Sequence, residues 1–547
     1  MEMQGNLLTW LLVLPVLGAL PLCLARDQNA RELKAWAFIV SLATFAASLP
    51  LWNFNPAGSA YQFVENHKWI DLAGLKIGFN LGVDGISALL ILLTTFTMPI
   101  AILGAFNYIK TRQKEFYIAL LLLETAMIGV FAATDLFLFY VFFEASLLPM
   151  YLIIGVWGGD EKIYAATKFI VYTAFGSLLM FIAILFVYFK TGGDNFNIVH
   201  LTEKLAELRA LNLRDPSQGL TQYAEFWCFW AFALAFAIKI PLFPLHTWLP
   251  DAHVQAPTPG SVVLAAVLLK MGGYGFIRLV FPCFARAAFF YAPLFMTLCV
   301  IGIIYGSMMA FAQKDIKKLV AYSSVAHMGT CMLGIFSMQI TGVQGGVYQM
   351  LNHGISTGAL FLLIGMIYER THTRAIDYYG GIAKVIPLYT IAFVVVTLSS
   401  IGLPLTNGFI GEFTCLMGAF MSSPWKGLLG ATGVVLGAVY MLYAVKRIFF
   451  GTIRRESNKH LLDLNGREIA VLAPLIAMIF ILGIFPTAFF EKIKPAAEAY
   501  LKYSHYEVPA VNTKVAEAPF TPFTPFTPSP VHPFTRSIPS PSTERSN

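Results

Sequence analysis

The chain has 547 residues, a formal charge of +7, and 57% hydrophobic against 12% charged residues, with a mean hydropathy of +0.68. That charged fraction is roughly half of what a soluble globular protein carries, which excludes a water-soluble enzyme of this size. The basic excess sits largely at segment ends and in short loops, without an aromatic–basic stripe, so nucleic acid is not an expected partner.

Apolar runs of about twenty residues, each enough to cross a ~30 Å hydrocarbon layer, recur along the chain. They fall near 6–24, 33–52, 84–106, 116–134, 136–157, 166–189, 225–245, 260–282, 291–312, 321–341, 345–367, 385–420, 428–449 and 469–490. The start, MEMQGN, has no basic n-region, so the first run reads as a retained helix rather than a signal peptide. The 385–420 run is too long for one straight span and contains a break.

Bases gather in connections of one parity: Arg26, Arg31 and Lys34; Lys110, Arg112 and Lys114; Lys314, Lys317 and Lys318; Arg370, Arg374 and Lys384; Arg454, Arg455, Lys459 and Arg467. Short loops of the other parity are poorer in base. The positive-inside rule then puts the basic loops in the cytoplasm and both termini on the periplasmic side. Beyond residue 500 the chain repeats Pro, Thr and Phe in PFTPFTPFTPSPVHPF, which cannot pack as a helix and reads as a flexible tail.

Within the apolar runs lie charges that hydrocarbon does not tolerate unpartnered: Glu144, Lys239, Lys270 and Glu412. Lys239 is followed by Pro241 and Pro244. Glu412 follows SSIGLPLTNGFIGEF, with Gly402, Pro404, Asn407, Gly408 and Gly411. Such sequences cannot continue a regular helix, and broken backbone at membrane depth belongs inside protein or beside water. Discontinuous helices beside buried charge are a device of ion-translocating proteins. Each break falls in the fourth of five spans when spans four to eight and nine to thirteen are taken as units. Five being odd, the second unit enters from the opposite side, as inverted repeats do.

Opposite charges within ~4–6 Å hold each other ionised, and separation in a dry site favours neutral forms, the adjustable pairing that proton transport needs. His327 and His353 extend the series through the second unit, because histidine titrates near neutrality and passes protons through water; Ser323, Ser324, Ser356 and Thr357 are candidates to hold that water. The expected order is Glu144–Lys239–Lys270–His327–His353–Glu412. Glu124 is either a further site residue or a partner for a neighbouring helix, and Asp135 belongs to a span boundary. His246 and His253 flank Trp248–Asp251 without a third ligand, which points to proton uptake or a loop contact rather than metal. Cys23, Cys228, Cys283, Cys299, Cys331 and Cys415 are scattered without a CxxC or Cys/His cluster, and MGGYGF lacks the strand–turn–helix setting of a phosphate loop. No motif suggests a flavin, haem or NADH site.

Residues from about 80 to 490 resemble the antiporter-like, proton-translocating subunit M (chain 4) family of respiratory complex I. The resemblance rests on NLGVDGIS, DLFLFYVFFEASLLPMY, AATKFIVYT, PLFPLHTWLPDAHVQAPTPGSVVLAAVLLKMGGYG, FAQKDIKKLVAYSSVAHMG, NHGISTGALFLLIGMIYERTHTR and GLPLTNGFIGEF. It implies an all-α polytopic membrane fold of about fourteen transmembrane helices with two inverted five-helix repeats, each holding a broken helix. The corresponding organisation is residues 1–115 as three N-terminal helices, 116–282 and 283–450 as the two repeats, 451–500 as a loop and C-terminal helix, and 501–547 as the tail. Glu144 matches the family's essential glutamate, Lys239 its broken-helix lysine and Lys270 its channel lysine. His327 and His353 match polar links of the central axis, and Glu412 the terminal acid where sister subunits L and N carry lysine. The long lateral helix of the L type is not expected after residue 490. The resemblance further implies no cofactor on this chain, with FMN, iron–sulfur clusters and quinone in other subunits. Partners would be L-type and N-type subunits and membrane lipid, in a bacterial inner membrane. Two rival readings of the same residues are a multisubunit sodium–proton antiporter component and a structural membrane scaffold.

Overall fold

The computed structural model describes residues 5–25, 30–72 and 75–504. Arg26 and the Pro/Thr/Phe-rich segment from 505 onward lie outside them. Two helices, α1 (Leu7–Leu24) and α2 (Ala30–Ser48), precede a two-stranded antiparallel hairpin of β1 (Gln62–Leu72) and β2 (Leu75–Val83). There follow α3 (Gly85–Ala105), α4 (Gln113–Ala132), α5 (Leu136–Ala145), α6 (Leu147–Trp157), α7 (Lys162–Lys190), α8 (Ile198–Arg214), α9 (Gln222–Lys239) and α10 (Trp248–Gln255). Next come α11 (Thr258–Cys283) and α12 (Ala285–Phe311), then α13 (Ile316–Phe336), α14 (Ile340–Thr371), α15 (Pro387–Ser400), α16 (Asn407–Ser422), α17 (Pro424–Phe449), α18 (Gly466–Ile484) and α19 (Thr487–Ser504).

Among the described residues, 12 helical segments are long and apolar enough to cross a membrane, so this is an all-α polytopic membrane fold with one hairpin attached. The outer face agrees. On α7, Val171, Phe175, Leu178 and Ile182 recur at helical spacing and are 57–60% exposed, the pattern of a side facing lipid. By contrast α11 and α14 are almost wholly buried and run through the centre of the bundle.

Helix starts are set by short polar side chains that satisfy free amides. Asp84 and Ser87 form a capping box at α3, Asp135 accepts from the amides of Phe137 and Leu138 at α5, and Asp315 accepts from Lys317 and Lys318 at α13. Asp135 also accepts from Gly78 of the hairpin at 3.1 Å, which makes the expected boundary residue a clamp between two elements.

Four features depart from the sequence expectation. The hairpin was not foreseen; its Glu65 is buried and accepts from the amides of Leu8 and Thr9, closing the start of α1. The amphipathic helix α8 is an addition. The final run divides into α18 and α19, and α19 folds back, with Lys492 donating to the carbonyl of Trp52 and Tyr500 to that of Ile335. Finally, Lys317 is not a free loop charge. It is 4% exposed and donates to Ala256 O at 2.5 Å, while Arg374 donates to Val254 O at 2.7 Å. Two cations thus cap the carbonyl end of α10, where the helix dipole is negative.

Both expected breaks are present. Helix stops at Lys239 and resumes at Trp248; it stops again at Ser400 and resumes at Asn407. The second stop is a Schellman closure: Gly402, at φ +75°, donates to Ser399 O and Leu403 donates to Leu398 O. Only glycine takes that backbone conformation without strain. The first break closes in a related way, with Leu242 donating to Ala237 O five residues back.

Candidate functional site

Glu144 is the penultimate residue of α5, two residues before a further interruption at Ser146, after which α6 begins at Leu147. Its carboxylate is within interaction range of Ser177 and Lys239. Lys239 ends α9, 1% exposed. Its Nζ donates to Ser146 Oγ at 3.4 Å and faces the rings of Phe143 and Phe169 at 5.0 and 5.8 Å. No ion pair within 4 Å joins Glu144 to Lys239 among the described residues. Ser146, which sequence reasoning missed, is the group that touches the lysine. Its hydroxyl proton goes to Phe143 O at 2.7 Å, leaving a lone pair for Lys239.

Lys270 is fully buried on α11. It donates to the carbonyl of Ala265, and its Nζ lies 2.7 Å from His353 Nδ1. The carbonyl belongs to Leu264–Leu268, a π-helical stretch; the i→i+5 pattern shifts the backbone register and marks many functional sites. His353 lies on α14, its ring 6.0 Å from that of His327 on α13. His327 Nδ1 in turn is 2.8 Å from Glu412 Oε1 on α16, and Gln349 Nε2 donates to the same oxygen at 3.3 Å. Glycine at position 411 allows this approach, since a side chain there would run into Gln349.

Lys270, His353, His327 and Glu412 therefore form one polar line, whereas no hydrogen bond or ion pair joins Lys239 to Lys270 among the described residues. The expected order of the histidines is reversed. His353 precedes His327 because α14, which packs against both α11 and α16, carries His353 where it meets Lys270, while His327 on α13 meets Glu412, an arrangement that sequence order does not encode. Polar space of ≈ 10 Å³, lined by both histidines, Gln349, Asn352, Ser356, Thr357, Ser399 and Ser400, is about the size of one water and adjoins both rings. Of the serines expected to hold water, Ser356 lines this space and shares hydrogen bonds with Ser399 and Asn407. Ser323 and Ser324 instead donate to Val320 O in their own helix.

His253 and His246 are not surface loop residues. His253 is 0% exposed and stacks on Phe361 at 4.6 Å, with neither ring nitrogen paired to protein. His246 is 3% exposed and packs against Phe243 and Tyr305. Glu124 is buried, and neither of its oxygens has a hydrogen-bond partner, so it does not bind a neighbouring helix that way. Among the described residues no group of three or more His, Cys, Asp or Glu is placed to hold a metal ion.

Broken helices around a buried lysine–histidine–glutamate line define an antiporter-type membrane subunit, and comparison with known proteins agrees. Residues 133–437 match the transmembrane family of NADH:quinone oxidoreductases and Mrp antiporters, and residues 10–130 match the amino terminus of NADH-ubiquinone oxidoreductase chain 4. NADH-quinone oxidoreductase subunit M of Rhodobacter capsulatus is 46% identical over 92% of this chain and 98% of its own. A chain of respiratory complex I from Thermus thermophilus superposes with a TM-score of 0.80 at 32% identity, covering 92% of this chain and 100% of that one. A chain of the Mrp complex from Dietzia shares the fold, with a TM-score of 0.75 at 20% identity, over 92% of this chain and 100% of that one. The chain belongs to the subunit M (chain 4) family of NADH:quinone oxidoreductases.

Proposed function

We propose that this chain is the proton-translocating, antiporter-like membrane-arm subunit of an NADH:quinone oxidoreductase. Redox chemistry takes place in other subunits, which carry FMN, iron–sulfur clusters and quinone. The observation that carries this reading is the polar line from Lys270 through His353 and His327 to Glu412, with two short contacts and a water-sized polar space that adjoins both rings.

In this reading the 12 apolar helical segments, the α9 span that ends at Lys239 and the α15–α16 pair make fourteen spans. Residues 1–115 supply the first three, 116–282 and 283–450 the two inverted repeats, and 451–500 the last. The basic-loop end faces the cytoplasm and the hairpin end the periplasm of a bacterial inner membrane. L-type and N-type subunits flank the chain in the arm, with lipid on its open faces.

Quinone reduction elsewhere changes the charge state along the arm. Glu144 responds first and sets how firmly Lys239 holds its proton, so that the two groups titrate together. Lys239, held at the break by Ser146, passes the proton across the gap toward Lys270. His353 Nδ1 accepts from Lys270 Nζ, the proton crosses through water to His327, and Glu412 Oε1 receives it for release on the periplasmic side. Histidine suits the middle of the line because one ring nitrogen accepts while the other donates.

In the assembled complex, Glu144→Ala should abolish most proton pumping while leaving NADH oxidation by a water-soluble acceptor intact. A normal proton yield per NADH in that variant would refute the role. Sodium-dependent exchange by the purified chain and its partners, without flavin and iron–sulfur subunits, would move the assignment to the antiporter branch of the family.

A further inference from the structure

Among the buried acids outside the relay, Glu124 stands apart. Glu124 lies on α4, and both its oxygens are without a protein partner. Three more polar atoms on the same helix share that condition: Tyr117 Oη, Gln113 Oε1 and Glu115 Oε2, the last on a carboxylate that already pairs with Arg112 through Oε1. Positions 113, 117 and 124 fall within about 40° of one another around an α-helix, so the three side chains line one face. Leu122, on the opposite side, is exposed toward lipid. A buried polar atom left unpaired costs on the order of a few kcal/mol, and three such groups on a single stripe need a shared partner.

The outer end of the stripe opens into polar space. Gln113 is part of the wall of a cavity of ≈ 780 Å³ at the basic-loop end, together with Lys34, Asn107, Lys110, Glu369 and His372. Arg467 lies within electrostatic range of Lys34, Tyr117 and Glu369, and its Nη1 is also buried and unpaired. The inner end points at the relay. Seven residues beyond Glu124 on the same face, Phe131 O accepts from Tyr274 Oη at 3.2 Å and the two rings meet edge to face at 5.3 Å. Tyr274 is one turn beyond Lys270 on α11. The Glu124 face of α4 is therefore turned toward the helix that carries the channel lysine.

We propose that Gln113, Tyr117 and Glu124 line a water-filled inlet from the basic-loop cavity, and that Glu124 is a proton-binding site at its inner end. Its carboxylate takes a proton from water on the cavity side and returns it to water on the α11 side, toward Lys270; no other bond changes. The direction of flow rests on the orientation and pumping role proposed above, but the existence of the inlet does not.

Single cysteines at Tyr117, Leu123 and Glu124, in a Cys23→Ser background, test the inlet in membrane vesicles that carry the assembled complex with the basic-loop face outward. The probe is 2-aminoethyl methanethiosulfonate, a small water-soluble thiol reagent. Positions 117 and 124 should react roughly tenfold or more faster than 123, since access of the thiol to reagent sets the rate; equal rates would overturn the inlet. In parallel, Glu124→Gln should lower the protons pumped per NADH while Glu124→Asp preserves them, with oxidation by a soluble acceptor unchanged in both. An unchanged yield in Glu124→Gln would overturn the proton-binding role. If substitutions at 124 prevent assembly, labelling at 117 and the pumping of Tyr117→Phe decide, a fall being expected. Failure of the inlet would leave the Glu144→Ala result untouched, so the two readings fail separately.

Discussion

Ser146→Ala is the sharpest probe of how the first helix break works. The serine holds Lys239 by a single contact, Nζ to Oγ at 3.4 Å, longer than the usual 2.7–3.2 Å of an N–H···O bond. A hydrogen bond to a charged group contributes about 1.5–3 kcal/mol, and the length argues for the lower figure of about 1.5. Alanine removes the acceptor and leaves Nζ with the faces of Phe143 and Phe169 and the more distant field of Glu144. If that contact positions Lys239 for transfer, about 1.5 kcal/mol corresponds to roughly a tenfold fall in the coupled rate. Ser146→Thr keeps the hydroxyl and should retain most of it. The assay is NADH-driven proton uptake in proteoliposomes of purified complex, with NADH oxidation by a soluble acceptor as the control for assembly. Normal pumping in the alanine variant, or equal losses with alanine and threonine, would show that Ser146 does not position the lysine.

Substitutions at two further positions test elements around the site. Arg370 pairs with Glu468 through two bonds of 2.8 and 2.7 Å and also donates to the carbonyls of Met366, Leu462 and Asp463. Glu468 is 2% exposed and closes the capping box of α18. Arg370→Met strands that carboxylate and should destabilise the assembled subunit by about 3–5 kcal/mol, read as a lower thermal inactivation midpoint, and Arg370→Lys should restore only part because it lacks the planar fork. At the hairpin, burial pushes the Asp135 carboxyl up to about 6, against the pull of the Leu138, Gly78 and Phe137 amides. Because the folded value exceeds the unfolded one, the folded state holds the proton more tightly, and stability falls as pH rises from about 4 through about 6, by up to about 3 kcal/mol. Asp135→Asn should flatten that dependence in thermal midpoints measured across this window; an unchanged slope would exclude Asp135 as its source.

Much of the site was legible because intramembrane charge is scarce. Glu144, Lys239, Lys270 and Glu412 stand out of apolar runs, and Pro241, Pro244, Gly402 and Pro404 announce where helix must stop. What could not be read is what depends on packing between segments distant in sequence. Ser146 is one serine among many until α9 brings Lys239 beside it. The Ala265 carbonyl becomes available to Lys270 through a π-helical register that apolar composition does not reveal. The order of His353 and His327 follows from which helices α13 and α14 touch. The hairpin escaped because its residues alternate only weakly, and its anchors, Asp135 and Glu65, act on elements far away in the chain.

The two breaks present charge differently, and the backbone accounts for it. Lys239 is the last residue of α9, at the carbonyl end, where backbone dipoles favour a cation. One serine contact and two aromatic faces complete its setting. Glu412 is the sixth residue of α16, beyond the first turn, where the favourable field of the amide end has largely faded. It depends instead on side chains, His327 and Gln349, both aimed at Oε1. Among the described residues, the setting of Lys239 contains no titratable group in hydrogen-bond contact and only the more distant charge of Glu144, whereas the setting of Glu412 changes with the protonation of His327. In the relay proposed above, that difference suits Glu144 and Lys239 to control transfer at a distance and His327 and Glu412 to exchange a proton by direct contact.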